Sequence, residues 1–315
     1  MTLTGDGKVT HMSSGEARGR SFHAGRRESA PGAVNHGYNF QEQWQRAFDL
    51  APPFVLVTGW NEWIAGRWGK PDGPLVFVDQ FNQEFSRDIE PAKVGHGDAY
   101  YWQLVANVRR FKGAPAMPRP SASKAIRIQG GFDQWRDVRP EYPDHLGETI
   151  PRDHDGAGGL HYSNRTGRND LLVCKLARDG KNVFFYVRTR EAITPRTEAH
   201  WMWLFLDVDP DARTGWEGYD FIVNRTLDPD GTSWLEKNEG GWRWRKVAKV
   251  NCRVEGNELH LVIPRSALGL SKGNTRVALD FKWADHLQRP GEVADFYVSG
   301  DVAPEGRFRY RYLGD

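Results

Sequence analysis

Cysteine is scarce in this chain, with two among 315 residues, so disulfides cannot hold a protein of this length together. No apolar run approaches the ~20 residues that cross a bilayer. Charge of one sign is not in excess either, since 43 Lys and Arg face 41 Asp and Glu. Proteins that bind nucleic acid or a membrane surface carry a large basic excess. We therefore expect a soluble globular protein that binds neither.

The first residues also lack the features of a signal peptide. Residues Met1–Gly15 are polar, without the charged start and apolar run of a leader. If Met1 is the natural start, export by that route is not expected. If the chain is the C-terminal piece of a longer exported protein, it is secreted or periplasmic.

Aromatic residues are abundant, with 13 Trp, 10 Tyr and 16 Phe. Rings on that scale fill cores or make flat apolar platforms for a ligand. A basic cluster, Arg18, Arg20, Arg26 and Arg27, lies near the start. It predicts either an anion-binding loop or a solvated flexible arm. The arm is favoured, because nothing apolar in the cluster anchors it.

The pattern up to residue 112 is that of an α/β protein. Phe40, Trp44, Ala47 and Phe48 would share one helical face, and a second helix is predicted from Asp98 to Lys112. Between these helices, residues 54–57 form a wholly apolar run, typical of a strand buried in a parallel sheet. Residues 113–124 are rich in Pro, Ser and Ala and predict a linker.

From residue 125 onward the apolar residues alternate with a period of two. Many short strands separated by Gly and Asp turns predict an antiparallel β-sandwich over 125–315. The predicted strands are Leu171–Leu176, Val183–Arg188, Trp201–Leu206, Tyr219–Val223, Glu258–Ile263, Arg276–Phe281, Asp295–Val298 and Arg307–Tyr312.

A candidate catalytic carboxylate, Glu62, follows the predicted strand 54–57. The carboxyl end of a parallel strand is where α/β barrels carry their chemistry. Trp60 and Trp63 could exclude water and raise the pKa of the carboxyl group, while Asn61 could hydrogen-bond to hydroxyls. The alternative is a structural Asn-Glu pair in a tight loop.

Three segments resemble the end of the catalytic barrel in glycoside hydrolases of families 99 and 71: 37–44, 53–63 and 89–91, with Trp60-Asn61-Glu62-Trp63 at the centre. The resemblance implies that Glu62 assists at the sugar 2-hydroxyl. The family's acid/base position falls on Ala65, which cannot carry a proton, although glycosidases use two carboxylates. The second carboxylate would come from residues 79–90 or from another part of a longer chain.

A complete (β/α)₈ barrel needs at least about 200 residues, whereas 1–112 supplies about half that number. The predicted fold class is therefore α+β and multidomain: a partial (β/α) barrel remnant over 1–112, a linker over 113–124 and the sandwich over 125–315. Two functions remain open. The chain is either the C-terminal portion of a polysaccharide hydrolase that needs the missing barrel portion, or a non-catalytic glycan-binding protein with a degenerate barrel.

The predicted sandwich carries a second set of candidate residues. Trp201, Trp203 and Phe205 would place three rings on one strand face, as a sugar platform or as core, and core is favoured for the latter two. Trp242 and Trp244 alternate with arginines near a predicted edge and are candidate sugar-binding residues. A third option is a sandwich that only braces the barrel and binds no ligand.

An acidic turn contains Asp207, Asp209 and Asp211, whose alternating carboxylates suggest a structural Ca²⁺ site. Ala212 and Gly218 break the EF-hand pattern, and a solvated acidic turn is the alternative. No other cofactor is predicted.

The sequence from about Ile126 to Tyr312 resembles carbohydrate-binding module family 9 and the related DOMON-like sandwiches. The segments 205–209, 214–224, 258–268 and 280–285 carry this resemblance. It implies a β-sandwich that binds a glycan through paired aromatic side chains.

Overall fold

The computed structural model describes residues 2–12, 14–61, 67–68, 76–77, 81–92, 95–114, 116–156, 159–198, 200–209, 211, 213–270 and 276–314. The chain divides into two compact units, Met1–Ala116 (unit 1) and Met117–Asp315 (unit 2). None of the described helices is long and apolar enough to cross a membrane.

The described residues of unit 1 form two α-helices, α1 (Tyr38–Leu50) and α2 (Ala99–Lys112), which confirms both helix predictions. Trp44 is 4% exposed and packs against Phe48 on α1 and Phe111 on α2. The described strands of this unit are two-residue antiparallel pairs: β1 (Thr2–Leu3) with β2 (Val9–Thr10), β3 (Phe22–His23) with β4 (Arg26–Arg27), and β5 (Arg67–Trp68) with β6 (Val76–Phe77).

The predicted buried strand over 54–57 is absent. Phe54 and Leu56 are each 72% exposed, and the segment pairs with no strand in the described part of unit 1. A parallel strand is stable only between hydrogen-bonded neighbours with helices over both faces. Because the described residues supply no such neighbours, the apolar run does not form a strand, and the barrel remnant is not seen.

Unit 2 is built on one antiparallel sheet of eleven strands. The strands are β7 (Glu141–Pro143), β10 (Leu171–Arg178), β11 (Asn182–Thr189), β12 (Trp203–Asp207), β13 (Phe221–Leu227), β14 (Ser233–Asn238), β15 (Trp244–Glu255), β16 (Glu258–Pro264), β17 (Val277–Asp285), β18 (Asp301–Ala303) and β19 (Tyr310–Gly314). Along the sheet their order is β18-β17-β12-β13-β14-β15-β16-β11-β10-β7, and β19 also pairs with β17. A separate hairpin joins β8 (Arg152–Asp155) to β9 (His161–Asn164).

This sheet curls so that its inner face encloses one hydrophobic core. Strand β15 pairs with β14 up to Val250 and with β16 from Asn251, so it links the two halves of the sheet. Side chains of both halves meet inside: Phe281 of β17 lies edge-on to Tyr142 of β7 at 5.1 Å and to Phe185 of β11 at 5.8 Å. The two ends of the sheet therefore approach each other, and unit 2 has the enclosed core expected of a sandwich.

The outer face of each half is covered by a chain segment. Residues 126–138 pack on β10, β11 and β16, where Trp135 stacks on Tyr186 at 5.1 Å and Phe132 stacks on His260 at 4.2 Å. Leu287, Phe296 and Val302 join Trp203 and Phe205 in a second cluster on the outer face of β12 and β17. Many of the aromatic residues of unit 2 are therefore buried in these two outer clusters.

One predicted strand is a helix. Residues Asp295–Val298 form the short helix α3, because Asp295 turns the chain locally. Its carboxylate accepts the backbone N–H groups of Gln288 at 2.7 Å and Arg289 at 2.8 Å, and the Ser299 hydroxyl at 2.7 Å. The two cysteines are free: Cys174 is buried and Cys252 half-buried.

His260 is a buried, neutral imidazole whose hydrogen bonds define its tautomer. Its Nδ1 accepts the Trp135 indole N–H at 3.0 Å, and its Nε2–H donates to the Ile128 carbonyl at 2.8 Å. Burial lowers the pKa of His260, and the Ile128 carbonyl opposes this to a smaller extent. The imidazole therefore contributes stability in its neutral form.

We expect acidification to reduce stability through this residue. Because the folded-state pKa lies below the ordinary value near 6.5, the contribution is complete above that pH and is lost as pH falls through the folded value. Burial also lowers the pKa values of His96 and His286, so they add to this loss with the same sign. Urea unfolding of His260→Gln should show a shallower pH dependence, and a slope equal to that of the unsubstituted protein would contradict this assignment.

Candidate functional site

The predicted catalytic carboxylate Glu62, its neighbour Trp63 and Ala65 lie outside the described residues. Trp60 and Asn61 are described, and both are exposed, with Trp60 at 40%. The described part of this motif is therefore its first half, Trp60 and Asn61.

The backbone around Trp60 is held by the segment that carries the predicted Ile-Glu-Pro motif. Ile89 donates its N–H to the Gly59 carbonyl at 3.0 Å, and Glu90 donates to the Trp60 carbonyl at 2.9 Å. Gly59 has a φ of 72°, and a Cβ there would lie 3.2 Å from the Arg87 carbonyl oxygen. A glycine is thus required for the two segments to meet at this point.

Trp60 belongs to a group of three rings that we call the Trp60 patch: the exposed Trp60 and Trp102 and the half-buried Tyr101. The Trp60 and Tyr101 rings lie edge-to-face at 6.0 Å, and the Tyr101 and Trp102 rings at 5.5 Å. Trp102 exposes 47% of its surface. Tyr101 and Trp102 lie on helix α2. The Tyr101 ring contacts Trp60, which lies on a loop.

A cavity of about 470 Å³ neighbours this patch in sequence, since its lining includes Gly59, which precedes Trp60, and Tyr100, which precedes Tyr101. Ring faces and edges come from Phe40, Trp44 and Tyr100, and uncharged polar groups from Asn39, Gln43, Thr58 and Ser86. Three arginines, Arg18, Arg20 and Arg87, also line it, and the described lining residues include no carboxylate. The cavity is therefore lined by aromatic and basic side chains.

Arg20 is the most deeply buried of these arginines, at 4% exposure. Its Nη2 donates to the Ser86 hydroxyl at 3.0 Å and to the Asp88 carbonyl, and its guanidinium lies 4.4 Å from the centre of the Tyr100 ring. Among the described residues, its Nε and Nη1 have no hydrogen-bond partner. The expected flexible arm is therefore wrong for this residue, because Tyr100 and the 86–88 segment anchor it. An acceptor that reached this guanidinium would satisfy donors that the protein leaves unpaired.

The three rings that were predicted to form a sugar platform in unit 2, Trp201, Trp203 and Phe205, lie on two different faces of the sheet. Trp203 and Phe205 are buried in the outer cluster, as their interpretation as core predicted, whereas Trp201 lies in the inner core. Positive φ values at His200 and Met202 break the alternation that would have aligned the three rings.

Trp242 and Trp244 are half-buried and cover the outer cluster. Trp242 meets Trp216 edge-on at 4.5 Å and Trp244 at 5.5 Å. On the same face Glu236 is fully buried, and one of its oxygens accepts Arg225 Nε at 3.0 Å. Its other oxygen has no partner in the described part of the chain. This face could bind a sugar hydroxyl, but most of its ring surface is already packed.

The acidic turn brings together Asp207, Asp209 and Asp220, not Asp211, which forms an ion pair with Arg213 at 2.7 Å. Each of the three carboxylates accepts a hydrogen bond: Asp207 from Arg309 and the Asp209 N–H, Asp209 from Thr214 at 3.0 Å, and Asp220 from the Val208 N–H at 2.9 Å. Burial raises the pKa of Asp207 to about 6, against the opposing charge of Arg309. The turn satisfies its own carboxylates, so its geometry does not require a cation.

Sequence reasoning identified Trp60 and Asn61 but not the cavity beside them. Arg18 and Arg20 were visible as a basic cluster. Their association with the two helices depends on contacts such as Arg20 to Ser86, 66 residues away in sequence. A locally charged cluster gives no signal of such a contact.

Comparisons with known proteins give little further guidance. No protein-family model and no curated protein matches the sequence. One solved structure aligns with it, described as a "putative carbohydrate-binding protein" from Bacteroides uniformis ATCC 8492. The two chains are 12% identical, the alignment covers 56% of this chain and 78% of the other, and the TM-score is 0.27. A similarity that low supports no inference about this chain.

Proposed function

We propose that this protein binds glycans that carry carboxylate or sulfate groups, through the Trp60 patch and the neighbouring cavity of unit 1. The observation that carries the proposal is the exposure of two indole rings, Trp60 and Trp102, at one surface. Exposed large rings that cluster at a surface mark binding sites more often than chance placement does. The flat faces of such rings match the C–H faces of pyranose sugars.

The cavity supports an anionic rather than a neutral ligand. Three arginines line it, and the buried Arg20 guanidinium has two nitrogens, Nε and Nη1, without a hydrogen-bond partner among the described residues. Guanidinium groups bind carboxylates and sulfates through paired, charge-assisted hydrogen bonds. The volume of about 470 Å³ also lies within the range of ligand pockets, roughly 300–1,000 Å³.

The proposal is tested with pairs of polymers that differ only in charge: dextran sulfate against dextran, and carboxymethyl cellulose against hydroxyethyl cellulose. In affinity electrophoresis the charged member of each pair should retard the protein, and Trp60→Ala or Trp102→Ala should weaken that binding about tenfold or more. Phe81→Ala is the matched control, because Phe81 is 50% exposed in the same unit and outside the patch. Equal retardation by charged and neutral polymers would contradict the proposed anionic ligand.

Two further variants separate the contributing surfaces. Arg20→Lys keeps the charge but loses the planar fork, so it should reduce the preference for the charged polymer. The double variant Trp242→Ala/Trp244→Ala tests the second candidate face, which we retain as a lesser proposal. If the double variant abolishes retardation while Trp60→Ala does not, the glycan site lies in unit 2.

The glycosidase resemblance supplies an alternative for the same site. The hydrogen bonds from Ile89 and Glu90 to Gly59 and Trp60 bring two segments of the resembling motif side by side, which favours a shared site. Glu62 would be the proposed carboxylate, within a barrel that a longer chain completes. Because Ala65 replaces the family's acid/base, binding without hydrolysis is the better-supported function for this chain. Release of reducing sugar from the charged polymers, lost in Glu62→Gln, would establish the alternative instead.

A further inference from the structure

We propose that the cavity of unit 1 receives the last sugar of an acidic glycan chain, with the acidic group of that sugar at Arg20. The protein would then bind chain ends rather than chain interiors. This inference rests on the glycan binding proposed above and specifies which part of the glycan enters the cavity. Two observations support it: the cavity has a buried end, and the buried polar atoms left unpaired in its lining are all hydrogen-bond donors.

The lining residues differ in exposure, which gives the cavity a closed end and an open side. Arg20, Ser86 and Tyr100 are buried, and the Arg20 guanidinium contacts both of the others. We call these three residues the closed end. Leu56 and Arg87, by contrast, are exposed to solvent. The interior of a glycan chain continues in both directions and cannot reach a closed end, whereas a terminal sugar can.

Arg20 and Trp44 line the cavity and carry buried donors that the protein does not use. Both side chains belong to residues that are 4% exposed. Arg20 Nε and Nη1 and Trp44 Nε1 have no hydrogen-bond partner in the described part of the chain, and no other described lining residue has a buried side-chain nitrogen or oxygen in that state. Guanidinium and indole groups donate but do not accept. A carboxylate or sulfate, which only accepts, matches them better than a hydroxyl, whose own hydrogen would still need an acceptor.

The Arg20 guanidinium is held in place by the protein itself. Its Nη2 donates to the Ser86 hydroxyl and to the Asp88 carbonyl, and its plane lies against the Tyr100 ring. Tyr100 is fixed in turn, because its hydroxyl donates to the Val34 carbonyl at 2.6 Å. A charged donor that is already ordered loses little entropy when an anion binds. One acidic group at the closed end should therefore contribute strongly to affinity, as recognition of a chain end requires.

The size of the cavity limits how much of a glycan it can hold. Its volume of about 470 Å³ is that of a small-molecule site. A terminal sugar fits into such a volume, and a length of polymer does not. The following sugars would lie outside the cavity, where unit 1 exposes the rings of Trp60 and Trp102.

The first experiment varies the number of chain ends at a fixed mass of polymer. Polygalacturonate is cut by partial acid hydrolysis into fractions of known mean length, and binding to the full protein is measured by isothermal titration calorimetry. If only ends bind, chains that are about tenfold shorter should half-saturate the protein at about one-tenth of the mass.

Half-saturation at the same mass for every chain length would overturn the inference, while the proposed function would stand because the charged polymer is still bound. If no fraction binds and the charged polymers of the electrophoresis do not retard the protein, the proposed function itself has failed. The measurement uses the unsubstituted chain, so its outcome does not depend on whether a variant folds.

The second experiment identifies the terminal group with single sugars as competitors: sodium D-galacturonate, D-galactose 6-sulfate and D-galactose. A charged sugar should displace the shortest fraction at concentrations at which D-galactose does not. The better of the two charged competitors shows whether a carboxylate or a sulfate is preferred. Displacement by neither charged sugar, or equal displacement by D-galactose, would contradict an acidic group at the closed end.

Substitutions then test the two donors. Arg20→Lys keeps a positive charge but loses the planar guanidinium, and it should weaken binding of the preferred charged sugar about tenfold or more. Trp44→Phe keeps a ring between the helices and removes the indole N–H, so it should weaken binding about threefold. Arg46→Gln is the matched control, because Arg46 is exposed on α1 and does not line the cavity. Unchanged affinity in Trp44→Phe and in a folded Arg20→Lys would overturn the assignment.

Discussion

Replacing Phe281 with alanine should lower the free energy of unfolding by about 3–5 kcal/mol, the range observed when a buried phenylalanine leaves a cavity. Phe281 is fully buried and contacts Tyr142, Phe185 and Tyr310, which belong to three other strands. Its ring thus joins both halves of the curled sheet, and no neighbour can fill its space without a shift of a strand. Urea denaturation measures this change.

The matched control is Ile150→Ala, since Ile150 lies in the same unit and is 64% exposed. Its effect should stay within about 0.5 kcal/mol. A double-mutant cycle between Tyr142 and Phe281 should also give a coupling of about 0.5–1.5 kcal/mol, because their rings meet edge-on. Absence of coupling would show that the two ends of the sheet do not meet in solution.

The second large effect is expected for Arg168→Ala. Asp285 has a fully buried side chain, and it accepts Arg168 Nε at 2.8 Å and the Met202 N–H at 2.9 Å. Burial raises the pKa of Asp285, and the Arg168 charge opposes this shift. Without the Arg168 guanidinium, the buried Asp285 carboxylate loses the positive charge that balances it. Losing one partner of a buried pair costs about 3–5 kcal/mol, which chemical denaturation would detect.

The comparison variant is Arg213→Ala, because the Arg213 side chain is 88% exposed in its pair with Asp211. An exposed pair contributes about 0–1 kcal/mol, so this change should be nearly silent. Equal effects of the two substitutions would show that the Arg168–Asp285 pair is not buried from solvent in the folded protein.

Periodicity predicted the elements whose burial is local. The helical spacing of Phe40, Trp44 and Phe48 located α1, and alternation located β10, β11, β16 and β17. Strand β15 was missed because its exposed positions carry Lys and Arg and its apolar positions, apart from the buried Val250, are only half-buried. The apolar run at 54–57 led to a wrong strand prediction. A buried strand needs neighbouring strands, and the sequence of the run does not show whether they are present.

The candidate sites depend on contacts that the sequence does not encode locally. The motif around Trp60 located an exposed indole, but burial of Arg20 required Tyr100 and Ser86, both far along the chain. Asp207 and Asp220 of the acidic turn come together because strand β12 pairs with strand β13. Such groupings become visible once the order of the strands is known.

The closure of the sheet also sets an order of events during synthesis on the ribosome. The Tyr142 hydroxyl donates to the Arg311 carbonyl at 2.9 Å, so an early strand is completed by residues made 169 positions later. Until those residues leave the exit tunnel, the apolar interior of the growing sheet stays open and vulnerable to chaperone capture or aggregation. Unit 1 precedes the sheet in the chain, and its two helices pack on each other through Trp44 and Phe111, so nascent chains should acquire this helix pair before the sheet closes.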